Sequence, residues 1–327
     1  MQAYIIRRLL LVIPTLLLAS IIIFLVVRLI PGDVVDAMVA SAGKSVSGVS
    51  RAAIEHQLGL DVPIFTQYGR WIGVVPGDDG GFSGILQGNL GDSLWKRSPV
   101  VDDILARWPV TLELGILGLI ISQIIALPIG LYSAIRQDTA GDYIGRSFAI
   151  LCISVPGFWL GTMVIVFPSL WWNYMPPLSL ISFTEDPIGN LQMFIVPSIV
   201  LGMWLSGVTM RMLRANMLEV LRQDYIRTGW SKGLKERVVV VRHALKNALI
   251  PVITLVGLQL VVMIGGTVII EQIFCLPGVG RLLLNACLKR DYTMISGVLL
   301  FVGAGMVVLN LLVDLTYAYL DPRVRLK

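Results

Sequence analysis

Charge is scarce in this 327-residue chain: Asp, Glu, Lys and Arg make up 14% of it while 56% is apolar, and an average soluble domain has roughly a quarter charged. A chain that lives mainly in water is excluded, as are disorder and collagen-like repeats. Histidine is nearly missing, with only His56 and His243. Neither HExxH nor GxSxG occurs, so a zinc protease helix and a hydrolase nucleophile elbow have no residues to build on. Three cysteines, Cys152, Cys275 and Cys287, are too few and too scattered for a zinc knuckle or a disulfide scaffold. The net charge of +5 does not point to nucleic acid, because the cations cluster between long uncharged stretches. One triplet, Gly43-Lys44-Ser45, resembles the end of a phosphate-binding loop, but Met38 stands where the first glycine belongs.

What is present is six windows without Asp, Glu, Lys, Arg or His: 9–27, 114–132, 147–171, 193–210, 250–270 and 295–313, each 18 to 25 residues long. About 20 apolar residues carry a helix across roughly 30 Å of hydrocarbon, where it must satisfy its own backbone. The pattern predicts an all-α membrane protein with six transmembrane helices. The first window follows Arg7 and Arg8 but runs on through Val27, too far for a signal-peptide core, and reads as a retained anchor. Lys and Arg set the orientation. Arg7, Arg8, Arg136, Arg146, nine residues from Arg211 to Lys246, and Arg323, Arg325 and Lys327 fall on one side if both termini are cytoplasmic, as the positive-inside rule favours. The expected divisions are 1–30, a cytoplasmic tail and first span; 31–108, a periplasmic segment that is either a small cap or a long covering loop; and 109–327, a core of five spans.

No ionisable side chain lies inside any window. Ion-coupled carriers keep charged groups near the midplane, so an ion-coupled secondary transporter is a weaker reading, and an intramembrane enzyme lacks a nucleophile and base. Pro14, Pro128, Pro156, Pro197 and Pro251 sit in or at the windows, and Gly157 with Gly161 forms a small-xxx-small pair suited to close packing. Gln123, Ser154, Gln259 and Asn310 are the candidate polar groups for a pathway; hydrogen bonding between helices explains such groups equally well.

Between the fourth and fifth windows, residues 211–249 exceed what a hairpin requires. Met217, Leu218, Leu221 and Tyr225 predict one amphipathic helix, and Leu234, Val238, Val241, Leu245 and Ala248 a second, with Lys235, Arg242 and Lys246 off the stripe. Gly233 between them suits a left-handed turn. Lying on anionic lipid is one reading of this basic hairpin. Docking on a partner is the other, because a helix lying passively on lipid has no need of Asp224, Tyr225, Arg227 and Gly233 together at a break.

The segment QDYIRTGWSKGL followed by RHALKNALIPVIT resembles the cytoplasmic coupling loop of the permease subunits of bacterial ABC importers, in the peptide and nickel group. That loop is usually written Glu-Ala-Ala, three residues, Gly; aligned on Gly233, the three positions here are Arg227, Thr228 and Gly229, which depart from it. HQLGLDVPIFTQYGRWI, GNLGDSL, VTLELG, SVPGFWLG, EQIFCLPGVGRLLLNACLKRDY and LLVDLTYAYLDPRVR are similar to the same group, in the same order. The resemblance implies a type I importer permease fold in the bacterial inner membrane. It also implies a second permease, two ATPase subunits that bind ATP and Mg, and a periplasmic or lipid-anchored substrate-binding protein, with no cofactor or metal on this chain. Its coupling contact would fall on Asp224, Tyr225, Arg227, Thr228, Gly229, Gly233, Leu234 and Arg242. The cargo it implies is a di- or oligopeptide, with nickel complexes, glutathione and oligosaccharides as alternatives. Pro277, Gly278, Gly280 and Arg281 are expected to form a tight projecting turn that meets the binding protein, or else a plain connector in which Cys275 and Cys287 could pair.

Overall fold

The computed structural model describes residues 2–29, 61–78, 80–173 and 180–320. The Gly43-Lys44-Ser45 triplet, the 49–59 stretch that reads as helical, and the cations from Arg323 onward lie outside the described residues. Among those described, the regular elements are all helical. Among the described residues five helices are long and apolar enough to cross a membrane, or six if one bent pair counts as a span. The chain divides into two units, 110–280 with 1–7 and 308–327, and 8–109 with 281–307.

The first unit is built around one long helix. Its elements include α4 (Trp108–Ile135), α5 (Ala140–Ser154), α6 (Gly157–Trp172), α7 (Pro187–Leu221), α8 (Asp224–Ser231) and α9 (Lys246–Ile273). α7 starts firmly: Asp186 caps it, its carboxylate accepting from the Ile188 and Gly189 amides at 3.1 and 3.0 Å, and Pro187 takes the first turn, where no amide is needed. Its 35 residues give about 52 Å of helix, well beyond the hydrocarbon thickness, so its last turns form a stalk past the fourth window.

In lipid, apolar side chains gain nothing by exchanging tails for each other, so helices associate through close packing. Gly118, Ser122, Ala126, Gly130 and Ala134 recur every fourth residue on α4 and are all buried. On α7, Ser198, Gly202 and Ser206 are buried at the same spacing. The match is tight, since a Cβ at Gly202 would lie 2.7 Å from the Gly118 carbonyl oxygen, and one at Gly207 2.7 Å from that of Ala149 on α5. The expected pair on α6 does not act this way. Gly161 makes ordinary contact with Phe274, and Gly157 meets nothing, because it opens α6 beside a break.

That break is the main departure from six simple spans. The third window does not form one helix: α5 and α6 meet at 94°. Val155 is extended ahead of Pro156 (φ −78°, ψ 121°), as the proline ring requires of its predecessor, and the helical ladder stops there.

The second unit holds most of α1 (Gln2–Arg28), with α2 (Ile64–Ile72), α3 (Val100–Leu105), most of α10 (Val279–Lys289) and the first half of α11 (Tyr292–Leu320). Phe24 on α1 packs against Tyr68 and Trp71 on α2, with ring centroids 5.3 and 5.7 Å away, and the Ser20 and Tyr68 hydroxyls are 2.9 Å apart. The described part of the outer segment is therefore anchored rather than a bare loop. Asp291 anchors it again. Its buried carboxylate accepts from the Ser93 hydroxyl at 2.6 Å and the Leu94 amide at 3.3 Å, and caps α11 by accepting from the Met294 amide at 3.1 Å. Trp95 Nε1 donates to the Lys289 carbonyl at 2.8 Å. The segments GNLGDSL and KRDY are thus two halves of one clamp. Cys152, Cys275 and Cys287 are all free thiols.

Two substitutions probe this packing. Gly202→Val pushes a side chain into the α4 backbone and should destabilise the chain by roughly 1–3 kcal/mol, lowering the midpoint of denaturant-induced unfolding, whereas Gly157→Ala should leave it unchanged. Asp291→Ala should cost about 1–3 kcal/mol by stranding buried donors, with limited proteolysis appearing between residues 88 and 97; an unaltered cleavage pattern would refute the clamp.

Candidate functional site

The end of the first unit formed by the α7 stalk, α8 and the start of α9 carries the predicted hairpin, in altered form. The first predicted helix is two pieces: α7 stops at Leu221, and α8 begins at Asp224. Met217 is buried at the stalk's end, whereas Tyr225 is 45% exposed. α8 buries a single side chain, Ile226, fully enclosed in a cluster with Leu213, Met217, Val239, Val240 and Ala134. Its end is a Schellman turn. Gly233 adopts φ +72°, its amide donates to the Trp230 carbonyl at 2.9 Å, and the Leu234 amide reaches the Gly229 carbonyl at 3.4 Å, the pairing that satisfies the last carbonyls of a helix. The left-handed turn expected at Gly233 is present.

The second predicted helix is present with its buried face shifted. Val239, Val240, Ala244, Ala248 and Val252 are buried, while Leu234 and Val241 are exposed. The cause is local geometry: Val238–Leu245 winds as a π-helix, whose i→i+5 bonds put more residues into each turn than the 3.6 assumed in reading the stripe. Lys235, Arg242 and Lys246 are exposed as expected.

Facing outward on the hairpin are Asp224, Tyr225, Arg227, Thr228, Trp230, Leu234 and Arg242. Arg227, 74% exposed, lies 3.7 Å from Asp224, a pairing that contributes little in water and leaves the guanidinium available. Asn247 Nδ2 donates to the Tyr225 hydroxyl at 2.7 Å, tying α8 to the start of α9. Trp230, 44% exposed, and the anchor Ile226 escaped the sequence reading; an aromatic on a short helix that follows a spanning helix was the available signal for the first. The result is a short helix on a rigid base, with an aromatic and cationic outer face and no catalytic constellation.

The base is rigid for an electrostatic reason. Asp142 on α5 is fully buried, and Arg214 on the stalk grips it with Nε and Nη2, each 2.8 Å from a carboxylate oxygen. The Asp138 amide donates to the same carboxylate at 3.0 Å. Removing one partner would leave a buried charge uncompensated, which costs far more than the intact pair gains.

The four candidate pathway residues are not gathered together. Gln259 is buried, its Nε2 donating to the Leu205 carbonyl and the Thr209 hydroxyl at 3.1 Å each, so it links α9 to α7. Gln123 is half-buried beside Ser122 (3.3 Å). Ser154 lies exposed at the α5–α6 break, and Asn310 is exposed on α11.

The turn after α9 does not project. Gly278 and Gly280 are buried because they wrap Glu271, itself fully buried: a Cβ at Gly278 would run into its carboxyl group, and one at Gly280 would lie 3.0 Å from Oε2 and 2.7 Å from the Val268 backbone. Thr111 donates to Glu271 Oε1 at 2.8 Å and accepts from the Val279 amide at 2.8 Å. These glycines permit close approach to a carboxylate, and Pro277 and Arg281 are only partly exposed. Among the described residues no cluster of His, Cys, Asp or Glu could hold a metal ion.

Five or six candidate spans among the described residues, a bent third span and a short helix presented on a stalk define a class: a multi-pass helical membrane protein with a short helix exposed beyond its spans. Comparison places it within that class. Residues 126–326 match the family of binding-protein-dependent transport system inner membrane components, and residues 1–115 match that family's N-terminal region; the chain belongs to it. It is 36% identical to the dipeptide transport system permease protein DppB of Escherichia coli K12, over all of both chains. It is 35% identical to the glutathione transport system permease protein GsiC of Salmonella paratyphi A, again over all of both. Among solved structures, the MetNI methionine ABC transporter in an inward-facing conformation superposes with a TM-score of 0.55 at 15% identity, covering 66% of this chain and 95% of that one. The fold is that of a type I ABC importer permease. The chain is a multi-pass inner-membrane, non-catalytic permease subunit of a binding-protein-dependent ABC importer, a family that works with a second permease, ATPases and a binding protein.

The turn residues separate cleanly by substitution. Gly229→Ala adds a Cβ at ordinary distances, 3.7 Å from Val239 and 3.8 Å from Leu234, and should be neutral or stabilise by a few tenths of a kcal/mol up to about 1 kcal/mol. Gly233→Ala should cost about 1–2 kcal/mol at its positive φ. Amide hydrogen exchange across 224–234 checks both: protection kept in the first and lost in the second.

Proposed function

We propose that this chain forms half of a translocation pathway for di- or oligopeptides, with α8 as the helix that seats in a groove on a partner ATPase. Both termini and the hairpin lie on the cytoplasmic side in this reading, in keeping with the nine Lys and Arg between Arg211 and Lys246. ATP and Mg belong to the ATPases, and this chain binds no cofactor. The observation that carries the reading is the presentation of α8. One buried residue, Ile226, the Tyr225–Asn247 hydrogen bond and a glycine turn hold a helix whose Tyr225, Arg227 and Trp230, with Leu234 just beyond it, stay exposed, and a packed helix transmits a push as a rigid body. Asp224, Thr228, Gly229, Gly233 and Arg242 complete that contact.

Peptide cargo is supported by full-length likeness to a dipeptide permease. Glutathione is the second reading, favoured by a nearly equal likeness to a glutathione permease. In this reading the binding protein meets the chain on the periplasmic side.

The experiment is co-purification followed by reconstitution. A tagged chain should retrieve a second permease and ATPase subunits in mild detergent. In vesicles, Arg227→Glu and Gly233→Pro should insert normally while cutting cargo-stimulated ATP hydrolysis by about tenfold or more, if the lost interface is worth about 1.4 kcal/mol. Unchanged hydrolysis would overturn the coupling role, and uptake by the chain alone would overturn the whole reading. Competition of labelled dipeptide uptake by unlabelled glutathione separates the two cargoes.

A further inference from the structure

Beside the Asp142–Arg214 pair lies a small cleft among α4, α5 and α7, lined by Ser133, Gly145, Arg146, Met210, Arg211 and Arg214 among others, with room of about 20 Å³. Two kinds of polar group face it unsatisfied. The Ser133 hydroxyl belongs to a side chain that is 2% exposed and has no hydrogen-bond partner; Arg146 Nε and Nη2 are buried atoms that also lack one. Arg146 is nevertheless held in place. Its guanidinium lies 4.4 Å from the centre of the Tyr143 ring, and Nε is 3.5 Å from Asp142, too poorly placed to make a hydrogen bond. Buried donors without a protein acceptor are costly and rare, so the cleft is suited to an acceptor from outside the chain.

Charge says which acceptor. Arg146, Arg211 and Arg214 converge on a site whose nearest anion, Asp142, is already gripped in a bidentate pair by Arg214, leaving an excess of positive charge. The room is small and the cleft is partly open, which suits one oxygen of an anionic group entering while the rest of the group stays outside, beside the exposed Arg211. Depth points the same way. The cleft sits where three charge-free windows end, at Tyr132, before Ser147 and at Met210. That is the level of lipid headgroups, and the exposed Tyr143 is the type of residue that marks it.

We propose that this cleft is a phosphate-oxygen site. One anionic oxygen enters it, accepts from Arg146 and the Ser133 hydroxyl, and leaves the rest of the phosphate against Arg211. An anionic lipid headgroup and a free phosphate share this chemistry. Occupancy joins α4, α5 and α7 at the base of the stalk, so it stiffens the support of α8. The inference stands independently of the transport reading, because its test reads binding rather than uptake.

The test uses the full chain, purified from bilayers of equal parts phosphatidylglycerol and phosphatidylcholine, with retained lipid counted by native mass spectrometry. Phosphatidylglycerol should be retained in preference, and the double variant R146Q/R211Q should bind it at least about tenfold more weakly, as expected for lost charge-assisted bonds. The Asp142–Arg214 pair is kept intact in that variant, and S133A, a milder change, should lower retention in the same direction. A second arm measures inorganic phosphate binding to delipidated protein. If phosphate binds and R146Q/R211Q abolishes this while lipid shows no preference, the site is confirmed with a soluble source. Equal binding of both lipids with no phosphate binding, R146Q/R211Q behaving as the parent, or water alone filling the cleft in a high-resolution map would each overturn the proposal.

Discussion

Close approach of backbones along α7 is the constraint on which the rest depends. Within a bilayer the helices cannot be driven together by excluding water, so their cohesion rests on how many atoms come into contact. Glycine and serine at every fourth position of α4 and α7 remove the side chains that would keep the backbones apart, and the Gly202–Gly118 and Gly207–Ala149 contacts show α7 gripped by α4 and by α5. A helix packed so tightly can be longer than the membrane is thick, and its last turns then stand out as a stalk without losing direction.

The electrostatics follow the same geometry. Three carboxylates, Asp142, Glu271 and Asp291, are almost wholly buried, and each falls within a few residues of the edge of a charge-free window. Each organises a junction: Asp142 joins α5 to the stalk, Glu271 gathers the turn after α9, and Asp291 clamps the 88–95 segment to the start of α11. Apolar spans supply the bulk of the structure, while buried carboxyl groups at their ends set how the connecting segments meet. The expense of a buried polar group left without a partner is what makes these junctions specific.

The outward face of α8 gains its meaning from this arrangement. A helix of eight residues is too short to be stable alone. It persists because Ile226 sits in a socket made by α4, α7 and the π-helical turn, and because Gly233 closes its end. Apart from the Tyr225 hydroxyl, held by Asn247, the exposed side chains of α8 face away from the base, which fits a permease that owns no engine of its own.

Apolar character, five of the six spans, the position of the hairpin and the turn at Gly233 were legible in the residues, since hydrophobic length and glycine's freedom at positive φ are local properties. The right-angle break at Pro156 was visible only as a proline inside a window; whether such a residue bends or breaks a helix depends on what packs around it. The shifted stripe after Gly233 was illegible, because a period of 3.6 was assumed and Val238–Leu245 winds as a π-helix. The glycines at 278 and 280 looked like a projecting turn, and only the fold shows that the space they leave is taken by Glu271. Local chemistry reports which segments enter the membrane and where the chain turns. Which faces meet, and which charges are buried, are many-body outcomes of packing, settled only when residues far apart in the chain compete for the same volume.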